Sequence, residues 1–120
     1  MLSNGNLLSR VGTAGVCMMA NRFNIPVLVC CETYKFVDRG LLDSICYNEL
    51  GNPEELNEGF PGDWRNNPHL KLLNITYDLT PSEFLQGIIT EVGLIPPTSV
   101  PVILREQNSI SEKSSPAIIM

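Results

Sequence analysis

Val27-Leu28-Val29-Cys30-Cys31 is an unbroken apolar run, bounded by Ile25-Pro26 on one side and Glu32-Thr33 on the other. Five residues is strand length, and a strand apolar on both faces belongs in a parallel sheet covered by helices on each side. Upstream of it, apolar side chains recur at Leu7, Leu8, Val11, Ala14, Gly15, Met18 and Met19. That spacing predicts one amphipathic helix over residues 7–24. Asn4-Gly5 is a turn signal ahead of it, with Asn6 as the expected N-cap. Pro26 disfavours helix at the residue before it, which places the helix end near Asn24. Helix, short turn and buried strand is half of a doubly wound α/β layer.

Beyond the strand the pattern breaks down. Gly40, Gly51, Asn52-Pro53, Gly59, Pro61-Gly62 and Asn66-Asn67-Pro68 punctuate residues 32–69. This composition predicts irregular chain, with a short strand or turn within 43–50, a brief helix at 53–56 and a surface excursion over 51–68. Trp64 lies in that excursion, where pinning the loop is the first expectation and partner contact the second.

Residues 70–77 regain apolar character and lead into Asp78-Leu79-Thr80-Pro81-Ser82-Glu83. Thr80 as N-cap, Pro81 at the first helical position and Glu83 three residues on form a capping-box pattern. It predicts a helix through Phe84, Leu85, Ile88, Ile89 and Val92, ending at Gly93. In this setting Asp78 is an acidic residue favoured by a helix dipole, not a catalytic carboxylate. Residues 100–104 read as a last strand with Pro101 at its start. The periodicity then fades, so the expectation is one α/β domain over residues 1–106 and a flexible tail over 107–120. Three strands and two long helices are thin for such a sheet, and the reading is of an N-terminally truncated, incomplete domain.

Composition bounds the function. Of 120 residues, 43% are apolar and 18% charged, which supports a globular body. The net charge is −5 and the eight basic residues are scattered singly, so no face is built for a phosphate backbone and no direct nucleic-acid partner is expected. No apolar run approaches membrane-spanning length, and residues 1–5 do not read as a signal peptide, which favours the cytosol and no membrane partner. Cys17, Cys30, Cys31 and Cys46 lack zinc spacing; they read as buried reduced thiols, and no metal or cofactor is expected.

Catalytic constellations are sparse. His69 is the single histidine and sits beside Pro68 in the loop, so no nucleophile–base pair is supported. Glu32 and Glu91 have no evident acid–base partner. No dinucleotide or Walker-type glycine motif is present. One weaker feature is the set Asn4, Gly5, Ser9, Arg10, Gly12 and Thr13, which places polar groups, a glycine turn and one Arg about the expected helix start. Such a place can receive an anion, but a capped helix with an exposed Arg is the better explanation.

Three stretches together resemble a known family. They are residues 2–13 (Leu2-Ser3-Asn4-Gly5 to Arg10-Val11-Gly12-Thr13), residues 26–36 (Pro26-Val27-Leu28-Val29-Cys30-Cys31-Glu32-Thr33-Tyr34-Lys35-Phe36) and residues 72–81 (Leu72-Leu73-Asn74-Ile75-Thr76-Tyr77-Asp78-Leu79-Thr80-Pro81), continuing to Arg105. The first and third resemble the alpha, beta and delta subunits of eukaryotic translation initiation factor 2B. That family also contains isomerases of methylthioribose 1-phosphate and ribose 1,5-bisphosphate. The second stretch is similar to the delta branch. The resemblance implies a Rossmann-like parallel sheet with flanking helices. It further implies a non-catalytic regulatory subunit of the guanine nucleotide exchange factor for initiation factor 2. The implied partners are the beta, alpha, gamma and epsilon types and initiation factor 2 itself, especially its alpha subunit, whose phosphorylation the regulatory core senses.

The same resemblance bears on the alternative, a sugar-phosphate isomerase. Those enzymes use a Cys from an earlier strand and an Asp that would fall two residues before Met1. They hold phosphate with an Asn-Lys pair where this chain has Ser9 and Arg10. Phe36, Leu73 and Arg105 are the residues that the resemblance points to for a subunit interface and regulatory pocket. A Phe36 fully buried in an intact domain would remove it from that set.

Overall fold

The computed structural model describes residues 1–41, 43, 48–59 and 62–114. Its elements are β1 (Leu7–Arg10), α1 (Thr13–Arg22), β2 (Leu28–Cys30), β3 (Tyr77–Thr80), β4 (Gly87–Thr90), β5 (Gly93–Ile95) and α2 (Val100–Ser114). Short 3-10 turns lie at Thr33–Lys35, Pro53–Leu56, Trp64–Asn66, Ser82–Phe84 and Pro97–Ser99.

The α/β class stands, with mixed pairing in place of a wholly parallel sheet. β1 pairs with β3 antiparallel, while a second sheet runs β2-β4-β5, with β2 and β4 parallel and β4 and β5 antiparallel. Several sequence expectations need correction. The helix over 7–24 splits: its first four residues are β1, and α1 begins at Thr13 because Gly12, at φ 101°, turns the chain in a left-handed conformation that a side chain would resist. Asn6 caps a different element, its Oδ1 accepting from Ser82 N at 3.0 Å.

The capping-box pattern at Thr80 does not start an α-helix. Thr80 closes β3, the chain makes one 3-10 turn at Ser82–Phe84, and the apolar residues beyond it form β4 and β5 around a turn at residues 91–92. Ile88-Ile89-Thr90 is β-branched throughout, and pairing with β2 outweighs the helical spacing. Conversely, residues 100–104 are helical, with Pro101 in the first turn of α2 where its missing N–H costs nothing. The tail expected from residue 107 is helical as far as Ser114. The short strand or turn expected within 43–50 falls mostly outside the described residues; Leu50 forms an isolated antiparallel bridge to Ile75.

The core gathers Met1, Leu7, Cys17, Phe36, Leu85, Ile88, Val100 and Leu104. Ile88 and Val100 are completely buried. The register divides the second sheet into two unlike faces. Val29, Ile88 and Ile95 are aligned and turn toward this core. Cys30, Ile89 and Leu94 are aligned on the other face, beside Leu28, and all four are exposed. Gly87 fits between the side chains there: a Cβ at this position would lie 2.9 Å from Leu94 Cδ1 and 3.2 Å from Leu28 Cδ2. The β2 run is therefore not covered on both sides by this chain.

The dimensions agree. The radius of gyration is 19.1 Å and the extents are 65 × 48 × 20 Å, whereas a compact chain of this length has a radius of about 13–14 Å. A body 20 Å thick holds a sheet and one covering layer, since sheet and helix layers pack about 10 Å apart.

Candidate functional site

The N-terminus of α1 is the first place to look for a ligand-receptive group, and a residue from β3 fills it. Asp78 Oδ2 accepts from Gly12 N at 2.8 Å and Ala14 N at 3.0 Å. Register brings it there, because Asp78 pairs with Ser9 on β1, three residues before the turn at Gly12. Asp78 is thus a dipole-favoured capping carboxylate, as its residue type suggested, but for α1 and across the sheet. Its other oxygen is buried, as is Thr80 Oγ1, and neither has a hydrogen-bond partner among the described residues. Cys17 lies against this pair; burial pushes its thiol above the ordinary value and the nearby Asp78 charge adds to the rise, while the Thr80 hydroxyl opposes it. A thiol held protonated in this way is a packing residue and a poor nucleophile.

The six residues expected to receive an anion fall at opposite ends of β1. Asn4 donates to Leu41 O at 3.3 Å and accepts from Asn6 N, and Gly5 packs against Pro97, where a Cβ would lie 2.9 Å from the Pro97 carbonyl oxygen. Ser9, Arg10, Gly12 and Thr13 lie at the other end, Ser9 paired in β1 and Thr13 Oγ1 donating to Arg10 O at 2.6 Å.

Glu91, which the sequence left without a partner, has one. Its carboxylate accepts from Thr33 N at 2.9 Å and from the Thr33 hydroxyl, joining the β4–β5 turn to the exit of β2. These donors hold its carboxyl below the ordinary carboxylate value. Glu32 pairs with Lys35 at 2.9 Å, which lowers the Glu32 carboxyl and raises the Lys35 amine. Both are structural contacts. His69 is exposed, and no group of His, Cys, Asp and Glu among the described residues is arranged to hold a metal. Of the thiols, Cys17 is buried and free, but Cys30 is exposed and Cys31 half-buried, contrary to the expectation that all would be interior. Cys46 lies outside the described residues.

The excursion over 51–68 is fastened at its base. Asn48 Oδ1 accepts from Thr76 N at 2.8 Å and Tyr77 N at 3.0 Å, and Gly51 N donates to Asn74 O at 2.7 Å. Asn74 Nδ2 donates to Asn52 O at 2.9 Å and Glu55 at 2.8 Å. Trp64 pins the loop to itself: Nε1 donates to Glu54 at 3.2 Å, and Arg65 covers the indole at 4.9 Å. Asn48 and Asn74 could be sensed in the sequence only as loop amides; their pairing depends on register.

The three interface residues separate. Phe36 is 7% exposed and belongs to the core of this chain. Leu73 is exposed, not core. Arg105 is exposed on α2 instead of beside a last strand. What the sequence missed is the open sheet face made by Leu28, Cys30, Ile89 and Leu94, with Tyr34 exposed nearby in the chain. The five-residue apolar run signalled it, and only the one-sided cover revealed it.

The initiation factor 2 subunit family matches residues 1–97, most of the chain. The chain belongs to that family. It is 53% identical over 115 residues to translation initiation factor eIF2B subunit delta of Dictyostelium discoideum, which covers 88% of this chain and 19% of the relative. The delta-type resemblance is thereby borne out. The chain is also 33% identical over 111 residues to ribose 1,5-bisphosphate isomerase of Methanocaldococcus jannaschii, covering 92% of this chain and 35% of that protein. Among solved structures, the tetrameric eIF2B-beta2-delta2 complex from C. thermophilum superposes with a TM-score of 0.55 at 30% identity, covering 73% of this chain and 24% of that one. The chain therefore spans about a fifth to a third of the curated relatives it matches.

Proposed function

We propose that the chain is a non-catalytic part of a delta-type subunit in the guanine nucleotide exchange assembly for translation initiation factor 2. It works in the cytoplasm through contacts with beta-type and other sister subunits and contributes to sensing the phosphorylated alpha subunit of factor 2. The observation that carries this reading is the 53% identity to a delta subunit over nearly the whole chain. The apolar face at Leu28, Ile89 and Leu94 supports it physically, because an open face of that character is a docking liability unless a partner covers it. Co-expression with beta-type and alpha-type subunits tests it. Stoichiometric co-purification is expected; a chain that stays monomeric and captures neither contradicts it.

The isomerase reading is favoured by the 33% identity to a ribose 1,5-bisphosphate isomerase. It is weaker, because the α1 N-terminus is taken up by Asp78 and no nucleophile–base pair accompanies it among the described residues. Incubating the chain with ribose 1,5-bisphosphate and following the sugar signals decides it: no ketose product is expected, and turnover would reinstate the enzyme.

A further inference from the structure

The excursion holds a pocket of its own. A cavity of about 260 Å³ is lined by Asn57, Asp63, Trp64, Asn67, Leu70 and Leu72. A cavity of ~150 Å³ already takes a benzene ring, and drug-sized ligands need about 300 Å³ or more, so this one suits a single bulky side chain. Its walls are fixed before anything enters. Glu54 holds the Trp64 indole, accepting from Nε1 at 3.2 Å, and Asp63 Oδ1 accepts from Arg65 N at 3.0 Å. Asn67 Oδ1 accepts from His69 N at 2.9 Å, and Asn67 N donates to Trp64 O at 3.1 Å. Trp64, Leu70 and Leu72 supply the apolar surface, and Leu70 is 42% exposed.

The charge about this pocket is one-sided. Residues 49–63 contain Glu49, Glu54, Glu55, Glu58 and Asp63 and no Lys or Arg, which equals the net charge of −5 of the whole chain. Elsewhere acidic and basic residues balance. Arg65 is matched within the excursion by Glu54 and, at 3.6 Å, by Asp63. Glu49, Glu55 and Glu58 are exposed and have no ion pair among the described residues. Glu58 adjoins Asn57 in the chain, and Asp63 lines the pocket itself. Like charges beside an apolar pocket repel one another, and a cationic partner relieves that repulsion. We propose that the pocket is a socket for a linear basic segment of another protein, which inserts one bulky apolar side chain against Trp64 and lays flanking Lys or Arg over the acidic rim. The anchor supplies most of the affinity, and the rim sets the choice of partner. Two excursions cannot meet face to face, since each brings the same negative charge. The inference goes beyond the assembly reading and stands on the excursion alone.

Trp64 is the only tryptophan, so its emission reports the pocket directly. The full chain is titrated with synthetic peptides of about a dozen residues carrying Lys pairs on each side of a central Phe, Leu, Ile or Met. At least one of them shifts the emission saturably. Replacing its central residue by Ala weakens binding about 30-fold, and replacing its Lys by Gln weakens it about tenfold. In the chain, Leu70→Asp places a charge in the pocket and abolishes the shift, whereas Ile110→Glu on α2 leaves it intact. The triple variant Glu55→Gln, Glu58→Gln, Asp63→Asn keeps an acceptor oxygen at each position, so circular dichroism and melting temperature are unchanged. It weakens the Lys peptide about tenfold and leaves the Gln peptide unaffected. The proposal is overturned if no basic peptide shifts the emission, if peptides with Glu in place of Lys bind as tightly, or if a folded Leu70→Asp still responds. It is also overturned if acrylamide cannot quench Trp64 in the free chain, which would show the pocket already filled. Subunit capture is a separate readout: capture without any peptide response refutes the socket alone, and peptide response without capture refutes the assembly reading alone.

Discussion

The β2-β4-β5 sheet presents two faces built from similar residues with opposite fates. On one, Val29, Ile88 and Ile95 face the core that also holds Val100 and Leu104, and Ile88 loses all contact with solvent. On the other, Leu28, Ile89 and Leu94 are no less apolar, yet roughly half of each stays accessible: 50%, 43% and 65%. Hydropathy alone cannot tell these faces apart. The difference lies in what the chain has available to cover them, and it separates residues that this chain buries from residues that it leaves exposed.

Mutations on the two faces should therefore differ in kind. The largest effect is expected at the closed face: Ile88→Ala removes fully buried methylenes and should cost about 2–4 kcal/mol in urea unfolding, enough to remove most of the cooperative transition in a chain this open. A cost below about 1 kcal/mol would mean that the closed face is not the core. Next is the cross-sheet cap. Asp78→Ala removes the acceptor of the Gly12 and Ala14 amides and should cost about 1–2 kcal/mol, with hydrogen exchange in the first turn of α1 rising before exchange in α2. Leu94→Ser on the open face should change the stability of the isolated chain by no more than about 0.5 kcal/mol, yet weaken capture of a beta-type subunit. Equal losses from Leu94→Ser and Ile88→Ala would abolish the distinction between the faces.

The smallest effect is electrostatic. Glu91 is held below the ordinary carboxylate value in the folded chain, so its bonds to Thr33 contribute fully above the unfolded pKa and are lost as pH falls through the lower folded one. The melting temperature of the wild-type chain should fall more steeply on acidification through the carboxylate range than that of Glu91→Gln. Parallel curves would show that this clamp contributes nothing.

How far the sequence could be read follows from the same contrast. The β2 run, the 53–56 turn and the delta-type resemblance were legible because each is encoded locally. The helix over 7–24 and the capping box at Thr80 misled because their spacing is compatible with helix, while the decisive influence is distant: pairing of β1 with β3 and of β4 with β2. Residues 100–104 misled in the opposite sense, since a β-branched run with an early Pro also suits a helix start that packs Val100 and Leu104 inward. At the candidate site, Asp78 was noticed but assigned to the wrong helix, and Glu91 and Asn48 were opaque because their partners are 58 and 28–29 residues away in sequence.

Hydrogen–deuterium exchange on the chain alone and co-purified with a beta-type subunit tests the central claim most directly. Amides of Leu28, Cys30, Ile89 and Leu94 should exchange more slowly in the assembly, while those of Ile88 and α2 change little. Assembly with no added protection at the open face, or protection confined to the closed one, would contradict the account.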